Sequence, residues 1–127
     1  MFLSKAAEDE SLLDAVLELP GVSDAIFGFH CQQAAEKLLK AVLSHHGLGF
    51  TRTHDLQELI ELLEAAGHPL PAEAATADEL TPFAVQFRYD DLSTAHAVDR
   101  PALRELVRNL RKFTQAEMGL PPDHSAA

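Results

Sequence analysis

The sequence predicts an all-α fold, an up-and-down bundle of about five helices, on three observations. Apolar residues recur at steps of three and four along nearly the whole chain, which is the period of one buried helix face. Alternating runs of β-branched residues, the mark of half-buried strands, are missing. Proline and glycine gather at a few places only, and these divide the chain into helical segments.

The first helix is expected over about Leu3 to Leu19, with Leu12, Leu13, Val16 and Leu17 as its apolar residues and Pro20-Gly21 as its stop. Ser23 is suited to cap the second, from about Asp24 to His46, where Phe27, Cys31, Ala34, Ala35, Leu38, Val42 and His45 fall at helical spacing before Gly47 and Gly49. Its length makes it the most buried element. Thr53 or Asp55 can cap a third helix with Leu56, Leu59, Ile60 and Leu63 inward, closed by Gly67 and Pro69. The prolines after Pro69 indicate a loop, and a fourth helix over Thr76 to Arg88 tolerates Pro82 only if it begins near Thr81 or bends there. Asp99 and Pro101 open a fifth helix, whose stripe Leu103, Leu106, Val107, Leu110 and Phe113 runs to about Met118. Residues 1–119 thus form one domain, and 120–127, after Gly119 and through Pro121-Pro122, a flexible tail.

With 127 residues and 46% hydrophobic content the chain can enclose one apolar core, which excludes a two-domain enzyme and a disordered chain. Twenty acidic against ten basic side chains give a net charge of -10. Such a surface as a whole repels long phosphate backbones, although a local basic stripe can override the average. A lone cysteine, Cys31, allows no intrachain disulfide and suits a reducing compartment. The N-terminal stretch lacks the long apolar run of a signal peptide, and no segment approaches membrane-spanning length. The expectation is a cytoplasmic protein with no membrane contact.

Seven histidines invite a metal reading, but the spacing speaks against it. No glutamate is followed three residues later by a histidine, as a di-iron bundle requires, and His-Glu-x-x-His is absent. His54 with Glu58 is the best local ligand pair, and two ligands alone are a weak signal. No metal and no cofactor are expected. Phosphate-cradling glycine loops and the serine nucleophile elbow are also missing. Cys31, mid-helix among alanines, reads as a small core residue.

Two clusters are more informative. On the last helix Arg100, Arg104, Arg108 and Arg111, with Lys112 beside them, share one side next to the apolar stripe. They form either a solvated face of ion pairs with the acidic excess or a basic strip for phosphates or an acidic partner. On the second helix Gln33, Lys37 and Lys40 share one face, and buried polar groups there must find partners. Arg88-Tyr89-Asp90 is a candidate source, because a bidentate arginine suits carboxylate or phosphate.

The blocks Phe29-His30-Cys31-Gln32-Gln33-Ala34-Ala35-Glu36-Lys37-Leu38-Leu39-Lys40-Ala41, Thr53-His54-Asp55-Leu56 and Phe87-Arg88-Tyr89, in this order, resemble the HEPN (higher eukaryotes and prokaryotes nucleotide-binding) domain of the small stand-alone prokaryotic kind. Gln-Gln-Ala-Ala-Glu-Lys is the most specific of them. The resemblance implies a homodimeric helical bundle that binds nucleotide or RNA and acts beside a minimal nucleotidyltransferase in a toxin–antitoxin-like pair. By matched position it carries nucleotide or phosphate binding onto Gln33, Lys37, His54, Arg88 and Tyr89. Many relatives of this kind are metal-independent ribonucleases with an Arg followed a few residues later by a His. Here seven residues, Tyr89 to Ala95, separate Arg88 from His96, a longer gap than that pattern has. A helix break near Asp90-Asp91 would bring His96 toward Arg88, and these two are the catalytic pair of the enzymatic alternative. The third alternative is a non-catalytic scaffold in which the polar residues fix helix register.

Overall fold

A computed structural model describes residues 1–86 and 98–121. The elements are α1 Phe2–Val16, α2 Asp24–His45, α3 Leu56–Ala65, a 3₁₀ turn Ala77–Leu80, α4 Pro82–Gln86 and α5 Arg100–Glu117, with no strand among the described residues. The fold is all-helical, as the periodicity predicts. No helix among the described residues is long and apolar enough to cross a membrane.

The expected starts hold at atomic detail. Ser23 accepts a hydrogen bond from the Ile26 amide at 3.2 Å, Asp55 from Gln57 at 3.0 Å and Asp99 from Ala102 at 3.0 Å, each satisfying an amide that the first helical turn leaves open. Thr81 adds a second fastening for α3 by accepting from the Leu56 amide at 3.0 Å. The helices α2, α3 and α5 end alike. Gly47, Gly67 and Gly119 take positive φ, and the following residues, Leu48, His68 and Leu120, each return an amide to a carbonyl five residues back at 2.8 Å. This is the glycine-closed helix end in which a left-handed residue reverses the chain.

Two segments depart from expectation. α1 stops at Val16 rather than Leu19, because the carbonyls of Val16, Leu19 and Val22 turn toward the Arg100 guanidinium, which donates to all three. The fourth helix is interrupted: Pro82 lacks the amide that a continuous helix over Thr76 to Arg88 would need, so a 3₁₀ turn ends at Leu80 and α4 begins at the proline. Arg88, the expected end of that helix, lies outside the described residues, as do 122–127 of the expected tail.

α2 is the axis of the molecule. Phe27, Leu38, Leu39 and Leu43 on α2 are fully buried against Leu13 of α1, Leu56, Leu59 and Leu63 of α3, and Val107 and Leu110 of α5, each such side chain contributing about 1.5–3 kcal/mol of apolar transfer. Gly28 makes room for the ring of Phe83, since a β-carbon there would sit 2.3 Å from Phe83 Cδ1. The connection after α2 travels back along it, with Phe50 under Lys40 and His54 beside Glu36. α3 therefore ends where α2 ends.

α1 is joined to α5 mainly by charge. Arg104 holds Asp14 through two bonds of 2.6 and 3.1 Å and Arg111 grips Glu10 at 2.6 to 2.9 Å, while Arg100 donates to the Val16 carbonyl at the end of α1 and pairs with Asp24, the first residue of α2, at 2.8 Å. The Arg104 bond, set against some burial, keeps the Asp14 carboxyl below its ordinary pKa, and the nearby Arg104 and Arg108 charges add to the effect. Arg108 is the loosest member, 39% exposed and 3.6 Å from Asp14.

Two outcomes follow from this packing. Gly28→Ala should lower stability by about 1–2 kcal/mol, the overpacking cost outweighing the better helix propensity of alanine, as read from urea unfolding. Arg111→Ala should cost about 2–3 kcal/mol, near the low end for breaking a buried pair, because Arg104 Nη1, 3.7 Å from Glu10 and without a hydrogen bond of its own, can take over part of the carboxylate. Arg108→Ala should stay within about 0.5 kcal/mol. Equal losses for the two arginines would contradict the burial difference.

Candidate functional site

At about 100° per residue, His30, Lys37, Gln33, Lys40, Glu36 and Gln32 follow one another around about 160° of α2, opposite its apolar side. Two buried carboxylates anchor this arc. Asp9, reaching across from α1, accepts from Lys37 Nζ at 2.6 Å and lies 2.9 Å from His30 Nδ1. Glu36 accepts from Lys40 at 2.9 Å and Gln32 at 3.0 Å, and lies 2.8 Å from His54 Nδ1. Gln33 stands between the two groups and donates to Gln32 Oε1 at 2.7 Å, while Gln32 also donates to the His54 carbonyl.

Gln33 and His54 thus share one network through Gln32 and Glu36, whereas Lys37 belongs to the neighbouring Asp9 group. Lys37 and Lys40 are both charge-paired, so the described part of the arc is balanced rather than cationic. What faces outward is a set of fixed polar groups. Lys37 and His30 are about one quarter exposed, and His54, held by Glu36 through Nδ1, is 69% exposed. A carboxylate behind an imidazole fixes its orientation and leaves the other nitrogen for solvent or ligand.

Arg88, Tyr89 and His96 lie outside the described residues. Arg104 and Arg111 turn toward the acids of α1, Arg100 pairs with Asp24 at the start of α2, and only Arg108 of the four is more than one third exposed. The side-chain partners of this strip are the protein's own carboxylates. Cys31 is fully buried and burial pushes its thiol up to about 12, so it stays protonated and acts as a small core residue.

The anchoring carboxylates were hidden from sequence reasoning. Asp9 sits in Glu8-Asp9-Glu10, which reads as an exposed acidic run, and Glu36 sits in a block whose basic members draw attention first. The available signal was Gln32, Glu36 and Lys40 at steps of four, a spacing that lets side chains bond along a helix.

Burial alone would raise the Glu36 carboxyl, but the hydrogen bonds from Lys40, His54 and Gln32 outweigh it and hold it below its ordinary 4.5. A carboxylate held low in the folded state stabilises above its unfolded value and loses that contribution as pH falls through the folded one. Glu36→Gln should therefore cost about 1–3 kcal/mol near neutral pH, with the gap to the wild type narrowing below pH 4.5 in urea titrations. A pH-independent gap would contradict an ionised anchor. Comparisons with curated proteins and with solved structures gave no match. A family model for the HEPN domain matches residues 2–119, from the start of α1 to the glycine that closes α5. That match takes in every described helix and the whole polar arc, and the chain belongs to the HEPN domain family.

Proposed function

We propose that this HEPN-domain chain is a binding module for a nucleotide or an RNA end, with the polar arc of α2 as one wall of its site. The observation that carries the reading is the pair of buried carboxylates that fix His30, Gln33, Lys37 and His54 side by side while leaving them partly open to solvent. An ammonium group has three donors, and Asp9 engages one of those of Lys37, which leaves donors for a phosphate oxygen. Arg88 and Tyr89, by family position, supply a bidentate cation and a stacking ring. The net charge of -10 favours a compact ligand over a long polymer. Action as a homodimer beside a minimal nucleotidyltransferase, in a toxin–antitoxin-like pair, is what family membership suggests for a small HEPN chain.

The enzymatic reading draws on a different feature, the two histidine–carboxylate pairs His54–Glu36 and His30–Asp9. An imidazole oriented in this way is suited to move the proton of a 2′-hydroxyl. Labelled RNA incubated with the protein in chelator distinguishes the readings: metal-free cleavage lost in both His54→Ala and His96→Ala would favour the ribonuclease.

For the binding module, titration of the full chain with nucleoside mono- and triphosphates should give saturable binding, weakened at least tenfold in Arg88→Ala and Lys37→Ala, a loss of about 1.4 kcal/mol. Equal, negligible binding by wild type and variants, with thermal stability lowered in Arg88→Ala, would leave the scaffold reading in its place.

A further inference from the structure

Three helices of the core finish at one end of the molecule, and each brings one metal-ligating side chain there. His46 is the C-cap residue of α2, His68 follows the glycine that closes α3, and Glu117 is the last residue of α5. Glu117 Oε1 lies 3.0 Å from His46 Nε2 and 3.0 Å from His68 Nδ1. The two imidazoles are stacked with centroids 3.8 Å apart and planes within 8°. All three ligand atoms lie within 4.8 Å of one another.

From these residues we infer a binding site for a divalent late first-row transition ion, zinc being the probe that suits it. Two neutral imidazoles and one carboxylate are a ligand set that zinc accepts, with water completing the shell. Bonds of about 2.0–2.2 Å to a shared ion set neighbouring ligand atoms about 3.0–3.5 Å apart, and both nitrogen–oxygen separations already stand at 3.0 Å. A neutral imidazole offers the required lone pair by carrying its proton on the opposite ring nitrogen; because that lone pair lies in the ring plane, one of the two stacked rings has to turn out of the stack for both to face a single ion.

Electrostatics gives a second, independent reason. The C-terminal end of a helix carries partial negative charge on its open carbonyls and favours a cation. Here three such ends meet, and the acidic Glu117 is placed among them. Among the described residues no lysine or arginine lies within ion-pair distance of Glu117; its partners are the two histidines, which carry no fixed charge. A divalent ion would supply the missing positive charge at the place where the backbone dipoles and the carboxylate concentrate the negative one. The ligands are also held in position: the glycine-closed ends fix the backbone beside each of them, with the His68 amide bonded to the Leu63 carbonyl and the His46 amide to Val42. Access is open, since all three side chains are between 22% and 32% exposed and Glu117 borders a groove of about 520 Å³ lined by Leu70, Pro71 and Phe113. The ion would staple the ends of α2, α3 and α5.

The sequence gives little sign of this trio, because its members are separated by 22 and 49 positions, far from any local ligand spacing. The proposed site departs from the expectation of a metal-free chain and does not involve the polar arc.

The test is calorimetric titration of the full, tag-free, chelator-treated protein with zinc chloride, paired with visible absorption on adding cobalt(II). The expected result is one zinc per chain with micromolar or tighter affinity, a raised Tm, and cobalt bands of a nitrogen–oxygen site. Outer-shell changes alone typically weaken metal binding by about 10–100-fold, so His68→Ala, His46→Ala and Glu117→Gln should each weaken it at least tenfold. His45→Ala, an exposed neighbour of His46, should leave it unchanged. Far-ultraviolet circular dichroism of the metal-free variants checks that they fold, and Glu117→Gln, which preserves size and a hydrogen-bond acceptor, carries the test should a histidine variant unfold. No saturable uptake by wild type, or affinity unaltered in folded Glu117→Gln, or equal loss in His45→Ala, would overturn the assignment.

Discussion

Asp9 and Glu10 are adjacent in sequence, both buried on α1, and both within reach of basic side chains from other helices. A carboxylate withdrawn from water is costly unless a cation and hydrogen bonds meet it, so the register of α1 is decided by where those cations stand. Asp9 points to α2, where Lys37 and His30 receive it, and Glu10 points to α5, where Arg111 grips it. A one-residue shift of α1 that put Ser11 in the place of Glu10 would also put Ala15 in the place of Asp14, and so strand the Arg104 and Arg111 guanidinium groups. Apolar packing makes α1 adhere to the bundle; the acid pair determines how it sits.

The same constraint links fold to site. Asp9 anchors α1 and also orients Lys37 and His30 on the polar arc, and Glu36 does likewise for His54 while tying the 47–55 connection to α2. The side chains of the proposed site are therefore held by groups that the fold itself needs. Such rigidity lowers the ordering cost on binding. It also means that changes at Asp9, Glu36 or Lys37 act on stability and on ligand response together, whereas His54, the most exposed member and one of three donors to Glu36, can be altered with less effect on the core.

Much of the fold is legible in the sequence because it is set by local chemistry. Ser23, Asp55 and Asp99 start helices, and Gly47, Gly67 and Gly119 end them, by rules that involve only a few neighbouring residues. Pro82 announces its own interruption. The inner face of α1 is not legible, since Leu12 looks more suitable for the core than Asp9 or Glu10 yet is 38% exposed. Which face turns inward depends on arginines about a hundred positions away. The arginine strip of α5 shows the same gap: its periodicity puts it beside the apolar stripe, but only the fold reveals that α1 faces it. For the candidate site, the sequence marks Gln33, Lys37 and Lys40 as polar residues in need of partners; Gln33 and Lys40 find theirs within four positions on α2, whereas the Asp9 partner of Lys37 lies 28 positions away and the Glu36 partner of His54 lies 18 away.

Charge pairing also narrows what the surface can recognise. Among the described basic residues, Arg52 and Lys112 alone take part in no ion pair; the remaining cations face carboxylates of the same chain. A long nucleic acid is held by many unpaired cations displacing counterions, and this surface has few to offer. A single phosphate group asks for less: one bidentate cation, one or two fixed donors and a surface that keeps other charges at a distance. Arg52 is exposed two residues before His54, on the connection that borders the arc. The arc can therefore recruit positive charge at its edge without unmaking the pairs that hold α1 and α2 together, and this favours a compact anionic ligand over a polyanion on electrostatic grounds alone.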